Sequence, residues 1–240
     1  MGVFRLCRAA CAAAFLAGAS VAQAQDPGNA PLEPGTMRAR VAACTACHGE
    51  QGRAGPDGYY PRLAGKPRDY LYHQLQNFRD GRRQYAPMAH LLRNLPDSYL
   101  REIAAYFADQ HVAYPPPSRA DVGAAMLERG RLLTTAGEPG RGVPACVACH
   151  GANLGGLAPA IPGLLGLPRD YLLAQIGSWR SGTRRAAEPD CMAHVARQLD
   201  PEDVAAVAAW LSSQPVPPTY QPAAAASITL PTACGSQTQE

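Results

Sequence analysis

The sequence predicts an all-α protein built from two tandem repeats, and three observations lead to this fold class. Apolar residues recur at helical spacing, as at Leu71, Leu75 and Phe78, and no segment shows the sustained alternation of a strand. Long blocks of sequence return in the same order about a hundred residues further on, which indicates duplication of a whole domain. One short pattern, Cys-x-x-Cys-His, occurs once in each copy.

The first element is an export signal, residues 1–24, which is removed from the mature protein. Arg5 and Arg8 form its basic start, residues 9–21 are its apolar run, and Ala-Gln-Ala at 22–24 is a cleavage sequence. No later segment has the roughly 18 to 20 consecutive apolar residues that cross a bilayer. We therefore expect a periplasmic protein, attached at most peripherally to the outer face of the inner membrane.

The first repeat is predicted to span residues 25–112. A helix over 37–44 should run into the first Cys-x-x-Cys-His pattern, and a second helix over 69–79 follows Pro-Arg-Asp. A third helix should start at Pro96-Asp97, where proline and an acidic residue are typical of a helix N-terminus.

A short linker at 113–118 separates the repeats, and its proline run is stiff and extended. The second repeat, 119–240, should contain helices over 122–133 and 170–180 and a last helix that starts at Asp200-Pro201. It ends in a tail rich in proline and alanine.

The Cys-x-x-Cys-His pattern is the signature of covalent haem attachment, in which two thiols bind the porphyrin and the histidine ligates the iron. A thioredoxin-type pair would not require the histidine, and a zinc site would need both Cys-x-x-Cys pairs to come together. Since both copies carry the histidine and are followed by glycine, we predict two covalently bound haems c, held by Cys44, Cys47, His48, Cys146, Cys149 and His150.

The second axial ligand decides between an electron carrier and an enzyme that binds a reactant at the iron. Met88 and Met192 stand at the same place in the two repeats, although a single methionine is more often a core residue. We predict that they are the iron ligands opposite His48 and His150. The rival ligands are the histidines two residues after each methionine, His90 and His194.

Each haem histidine should donate its other ring nitrogen to a carbonyl, which fixes the ring and tunes the metal. Pro61 and Pro162 open a Pro-x-Leu-x-Gly stretch after each motif and are the predicted acceptors. A simple turn without this bond is the alternative interpretation.

Two cysteines remain outside the signal and the haem motifs. After export and haem attachment, Cys191 and Cys234 remain, so a disulfide and two separate thiols are both compatible with the sequence.

The mature protein is nearly balanced in charge. Of 22 basic residues, Arg5 and Arg8 leave with the signal, and the remaining 20 compare with 19 acidic residues. Four haem propionates would make the protein about three units negative, so we expect no nucleic-acid partner.

At this point the residues resemble the dihaem cytochromes c4, which consist of two class I cytochrome c domains. The resemblance rests on Ala-Ala-Cys-Thr-Ala-Cys-His-Gly at 42–49, Pro-Arg-Leu-Ala-Gly at 61–65, Ala-Pro-Met at 86–88 and Ile-Ala-Ala-Tyr-Phe at 103–107. It implies His/Met ligation and single-electron transfer between respiratory complexes, towards a haem-copper terminal oxidase.

The second repeat departs from this pattern. Cys191 stands where proline is expected before Met192, and the loop over 134–144 is longer than its counterpart. These features resemble electron-accepting subunits of periplasmic dehydrogenases, which is the alternative role. We expect no catalytic residues and no small-molecule substrate, and a dihaem peroxidase or a sulfur-oxidising enzyme is the third interpretation.

Overall fold

The computed structural model describes residues 32–55 and 58–237, so the predicted export signal and its cleavage site lie outside the described residues. The described part of the first repeat contains five helices: α1 (Met37–Arg40), α2 (Ala42–His48), α3 (Arg68–Arg79), α4 (Ala86–Leu92) and α5 (Asp97–Ala108). The second contains α6 (Ala124–Thr135), α7 (Val147–His150), α8 (Arg169–Ser181), α9 (Cys191–Gln198) and α10 (Pro201–Ser213), with a hairpin of β1 (Gly156–Leu157) and β2 (Ile161–Pro162). The prediction of an all-α fold in two repeats is confirmed.

Helix boundaries follow the local signals in the sequence. The Asp200 side chain accepts a hydrogen bond from the Asp203 N–H at 2.8 Å, and Pro201 occupies the first turn of α10. Thr36 caps α1 in the same way, accepting from Ala39 at 3.2 Å. The single helix predicted over 37–44 is instead two, because Val41 leaves helical geometry as its side chain enters the core.

The core of the first repeat lies between α3 and α5. Leu100, Ile103 and Phe107 of α5 are at most 4% exposed and pack with Leu71 of α3 and the fully buried Val41. Burial of these side chains removes apolar surface from water and orients the elements that carry the first motif.

In the second repeat, α6 and α10 cross at very short range. A Cβ atom on Gly130 would stand 2.1 Å from the carbonyl oxygen of Ala206, so only glycine permits this approach. Leu133 of α6 and Leu211 of α10 are each 1% exposed on either side of the crossing.

The hairpin was not predicted by the sequence analysis, and neither were three short 3-10 helices, Glu50–Gly52, Pro139–Arg141 and Gly235–Gln237. Gly156 pairs with Pro162 and Leu157 with Ile161, and the tail adds a parallel bridge from Ala223 to Leu157. Strands of two residues are too short to show alternating hydrophobicity, so the sequence carries no signal for them.

The linker region, residues 110–123, contains no helix, and the two repeats meet directly elsewhere. The Gln84 N–H donates to the Thr183 carbonyl at 2.8 Å, and the Arg185 N–H donates to the Arg82 carbonyl at 2.7 Å. The two repeats thus exchange equivalent hydrogen bonds. We call this contact between residues 82–84 and 183–185, with the side chains packed beside it, the seam.

Helices of the described ranges reach at most 13 residues, and none of them is long and apolar enough to span a bilayer.

Candidate functional site

The first site is built on α2, whose last turn carries two thiols and an imidazole. Cys44, Cys47 and His48 lie within one short helical segment, and His48 is 6% exposed. Its Nδ1 lies 2.9 Å from the carbonyl oxygen of Pro61. Because a carbonyl can only accept, Nδ1 carries the proton and Nε2 keeps its lone pair for a metal.

The second site repeats this geometry in α7. Cys146 immediately precedes the helix, Cys149 lies within it, and His150 ends it at 6% exposure. The Nδ1 of His150 donates to the carbonyl oxygen of Pro162 at 2.7 Å. Both histidines therefore meet the proline carbonyls expected from the sequence.

A glycine directly after each histidine makes this geometry possible. Gly49 has φ +73° and Gly151 has φ +82°, in the region that favours glycine. A Cβ atom on Gly49 would lie 2.5 Å from the Ala54 carbonyl oxygen, and one on Gly151 would lie 2.9 Å from that of Gly156. The chain thus turns back sharply after each histidine, and in the first site the Ala54 N–H donates to the His48 carbonyl at 2.8 Å.

Burial sets the protonation states of both sites. It lowers the pKa of His48 and of His150, so both imidazoles are neutral and able to bind a metal. It raises the pKa of Cys44 and Cys149, and that of Cys146 to about 11, so these thiols are protonated.

The sequence analysis also considered a thioredoxin-type pair and a zinc site for the four motif cysteines. The four motif cysteines do not pair with one another, as an oxidised thioredoxin-type site would. Across the described ranges, no three side chains of His, Cys, Asp or Glu gather in a group that could hold a metal ion.

The two predicted methionine ligands lie on short helices that the sequence analysis did not predict. Met88 is in the first turn of α4 and packs against the core of the first repeat, and Met192 is the second residue of α9 and is half-buried. His90 and His194 are exposed on the same helices. Residues two apart on a helix face different directions, so each histidine points away from the side its methionine presents.

A set of buried polar side chains at the seam was not predicted as a site. Arg83 donates to Gln74 at 2.9 Å and to Gln175 at 2.6 Å, while Arg184 donates to Gln175 at 2.8 Å and to Gln74 at 3.0 Å. Each arginine therefore bonds to both glutamines, one from each repeat. The sequence signal was the matched pair Gln74 and Gln175, whose arginine partners stand at equivalent positions further along.

The positive charges of Arg83 and Arg184 have no carboxylate counterion among the described residues. Arg83 is 9% and Arg184 is 3% exposed, and no described carboxylate lies within 4.0 Å of either guanidinium or of nearby Lys66. Burial alone would raise the pKa of Tyr70, but the charges of Arg184, Arg83 and Lys66 lower it to about 8. Buried cations of this kind require an anion.

A helical fold with two thiol and imidazole sites of this geometry defines a c-type cytochrome, in which the haems are covalent and transfer electrons. The cytochrome c family profile matches residues 35–107 and 128–215, one match in each repeat. The chain therefore belongs to the cytochrome c family, and its relatives place it with the dihaem cytochromes c4.

Three relatives support this assignment. The chain is 36% identical over 190 residues to a thiosulfate dehydrogenase electron acceptor from Thiomonas intermedia, covering 79% of this chain and 87% of that protein. It is 35% identical over 176 residues to cytochrome c4 from Pseudomonas aeruginosa, covering 72% and 85%. The solved structure of reduced cytochrome c4 from Pseudomonas stutzeri matches with a TM-score of 0.64 and 31% identity over 73% of this chain and 95% of that one.

The expectations on family, cofactor and general function are confirmed. The chain is a dihaem c-type cytochrome that transfers electrons, it carries two covalently bound haems c, and its partners are redox proteins.

Proposed function

We propose that this cytochrome carries single electrons in the periplasm and that each iron is held between an imidazole and a thioether. His48 and Met88 would ligate the first iron, and His150 and Met192 the second. Cys44 and Cys47, and Cys146 and Cys149, would carry the thioether links to the porphyrins. The observation that carries this proposal is the matched pair of hydrogen bonds from the two histidines to the Pro61 and Pro162 carbonyls at 2.9 and 2.7 Å.

The residues of both sites fit a covalent haem. Two thiols about one helical turn apart are the groups that haem attachment needs, and the histidine beside them is buried, has a lowered pKa and is hydrogen-bonded to its proline carbonyl. When bound, the haem supplies one-electron chemistry at its iron. The chain would contribute orientation, exclusion of water and ligands that leave no open position.

The propionate groups of the haems would provide anions for the buried cations at the seam. Arg83 and Arg184 are buried and lie without a carboxylate partner among the described residues, and Lys66 is close by. We propose that these three cations neutralise propionates. Burial of Lys66 lowers its pKa, and a nearby carboxylate would oppose this shift by stabilising the charged form.

The proposed architecture follows the predicted boundaries. Residues 1–24 would be cleaved on export, residues 25–112 would form the first haem domain, 113–118 the linker, and 119–240 the second domain with its tail. The respiratory chain, with a haem-copper terminal oxidase as acceptor, is the proposed setting. Attachment to the outer face of the inner membrane would be peripheral at most.

The ligands can be tested by a visible spectrum combined with redox titration. Ferric haem with a methionine ligand has a weak far-red absorption band, which neither an open position nor a second histidine produces. We expect Met88→Leu and Met192→Leu each to remove about half of this band and to lower the potential of one haem, because loss of the thioether favours the ferric state. An unchanged band in either variant, or carbon monoxide binding by the reduced wild-type protein at neutral pH, would contradict the assignment.

A second candidate role is that of electron acceptor for a periplasmic dehydrogenase. Two observations favour it: the Thiomonas relative carries that name and is matched over 87% of its length, and Cys191 replaces the proline that precedes Met88 in the first repeat. A permanent subunit would purify in fixed proportion with a dehydrogenase. A free carrier would purify alone and be reduced by the enzyme at a rate that rises with carrier concentration.

A further inference from the structure

The chain beyond α10 forms a strap, which we define as residues 214–237, and it first binds the loop after the second haem motif. The Tyr220 hydroxyl donates to the Leu154 carbonyl at 2.6 Å and accepts from the Leu165 N–H at 2.7 Å. Between these two points lies Pro162, whose carbonyl holds the haem imidazole. The strap therefore clamps both ends of the segment that fixes the histidine.

Further along, the strap continues over the hairpin. The Ala223 N–H donates to the Gly156 carbonyl at 2.9 Å, and the Ala158 N–H donates to the Ala223 carbonyl at 2.9 Å. Its course is thus fixed by backbone bonds before it reaches the opposite side of the site.

The far end of the strap is joined to the segment that carries the methionine. Cys234 forms a disulfide with Cys191, with α-carbons 4.9 Å apart, and Cys191 directly precedes Met192. The next strap residue, Gly235, donates its N–H to the Pro189 carbonyl at 2.9 Å. One segment therefore contacts the chain on the histidine side and on the methionine side of the same site.

The loop that leads to Met192, residues 184–192, is longer than its counterpart in the first repeat and lacks a proline directly before its methionine. Eight positions separate Arg184 from Met192, whereas five separate Arg83 from Met88. A longer loop has more conformations to lose when its end is fixed. The first repeat also has Pro87 before its methionine, which restricts the backbone at that point, and the second repeat has a cysteine there.

We propose that the strap is a positioning device that holds the Met192 thioether on the second haem iron, with the Cys191–Cys234 disulfide in place of the proline. This inference rests on the proposed function, in which Met192 is an axial ligand. Met88 has no such support in the described structure, because the chain after α5 leads into the linker. The first haem is therefore an internal control within the same molecule.

The test compares the ferric wild-type protein with Cys191→Ser/Cys234→Ser during urea titration, using two signals. The far-red band reports methionine ligation at both irons, and the fluorescence of Trp179 and Trp210 reports unfolding of the second repeat, because both tryptophans lie there. In the variant, about half of the band should disappear at lower urea than the fluorescence change, and the other half should behave as in the wild-type protein. At a urea concentration between the loss of the band and the fluorescence change, the reduced variant should bind carbon monoxide at about one haem per chain, and the wild-type protein should not.

Two further variants separate positioning from general stabilisation and from the ligand assignment itself. Cys191→Pro/Cys234→Ser copies the first repeat and should bring the loss of the band back towards the fluorescence change, since proline suits the first position of α9. If band and fluorescence change together in the serine variant, the strap only stabilises the fold and the inference is overturned. If Met192→Leu leaves the band intact, the ligand assignment fails, whatever the strap does.

Discussion

Asp203 is the acidic centre of the second repeat, and its replacement by asparagine gives a prediction with a magnitude. The side chain is 3% exposed, with Oδ1 2.7 Å from Arg129 Nη2 and Oδ2 2.8 Å from Arg141 Nη1. Arg129 lies on α6, Asp203 on α10, and Arg141 in the loop before the second haem motif. This carboxylate therefore joins the helix crossing to the haem loop.

The expected loss of unfolding free energy depends on how deeply Asp203 and its two arginine partners are buried. Removing one partner of a fully buried pair costs about 3–5 kcal/mol, because a charge stays behind without a counterion. Here Arg129 and Arg141 are 39% and 35% exposed, so water can solvate them and solvent screens the pair. We therefore expect Asp203→Asn to lower the free energy of unfolding by about 2 kcal/mol.

The assay is urea unfolding at pH 7 followed by tryptophan fluorescence, which reports the repeat that contains Asp203. With a slope of about 2 kcal/mol per molar urea, the midpoint should fall by about 1 M. The matched control is Glu128→Gln, which removes an exposed carboxylate that pairs with Arg131 at 2.6 Å on α6. The control should leave the midpoint unchanged within error.

The pH dependence provides a second check on the cause. Burial alone would raise the pKa of Asp203, but the guanidinium groups of Arg129 and Arg141 beside it outweigh burial and lower the pKa. A carboxyl group with a lowered pKa stabilises the fold above its unfolded pKa of about 3.9, and this stabilisation is lost as pH falls through the folded pKa. The difference between wild type and variant should thus be constant above about pH 5 and shrink towards pH 3. A difference that does not shrink between pH 5 and pH 3, or a midpoint shift equal to the control, would refute the reasoning.

Two further predictions concern the seam and the helix crossing. Arg184→Gln should lower the haem potential on the order of 50 mV in a redox titration, because loss of a buried cation beside the proposed propionates favours the ferric state, and an unchanged or raised potential would contradict the role. Gly130→Ala should lower the free energy of unfolding by about 2 kcal/mol in urea, although alanine favours helices, because its Cβ would meet the Ala206 carbonyl at 2.1 Å. A stabilised variant would show that the crossing opens easily.

Local signals allowed much of this molecule to be predicted from its sequence. The starts of α3, α5, α8 and α10 carry proline and acidic residues within one or two positions of the observed boundaries. The thiol and imidazole donors lie in one helical turn, so their grouping needs no tertiary information. The proline carbonyls could be predicted because the repeat places each at nearly the same distance after its histidine, 13 residues in one copy and 12 in the other.

The remaining features depend on contacts between residues far apart in sequence. The helices α4 and α9 are short, seven and eight residues, and give little periodic signal. The cross of Arg83, Arg184 and the two glutamines forms only when the repeats meet. Whether Cys191 and Cys234 pair depends on the path of the strap, and their separation of 43 residues says nothing about it.

The two haem sites share some structural features and differ in others. Across the seam each repeat gives the other an arginine, a glutamine and a backbone hydrogen bond, so these contacts are shared by the two repeats. A difference between the two haems must then arise from features that only one repeat has. The strap and the longer methionine loop are the largest of these, and both act on the second site. A difference in ligand stability should accordingly be found there.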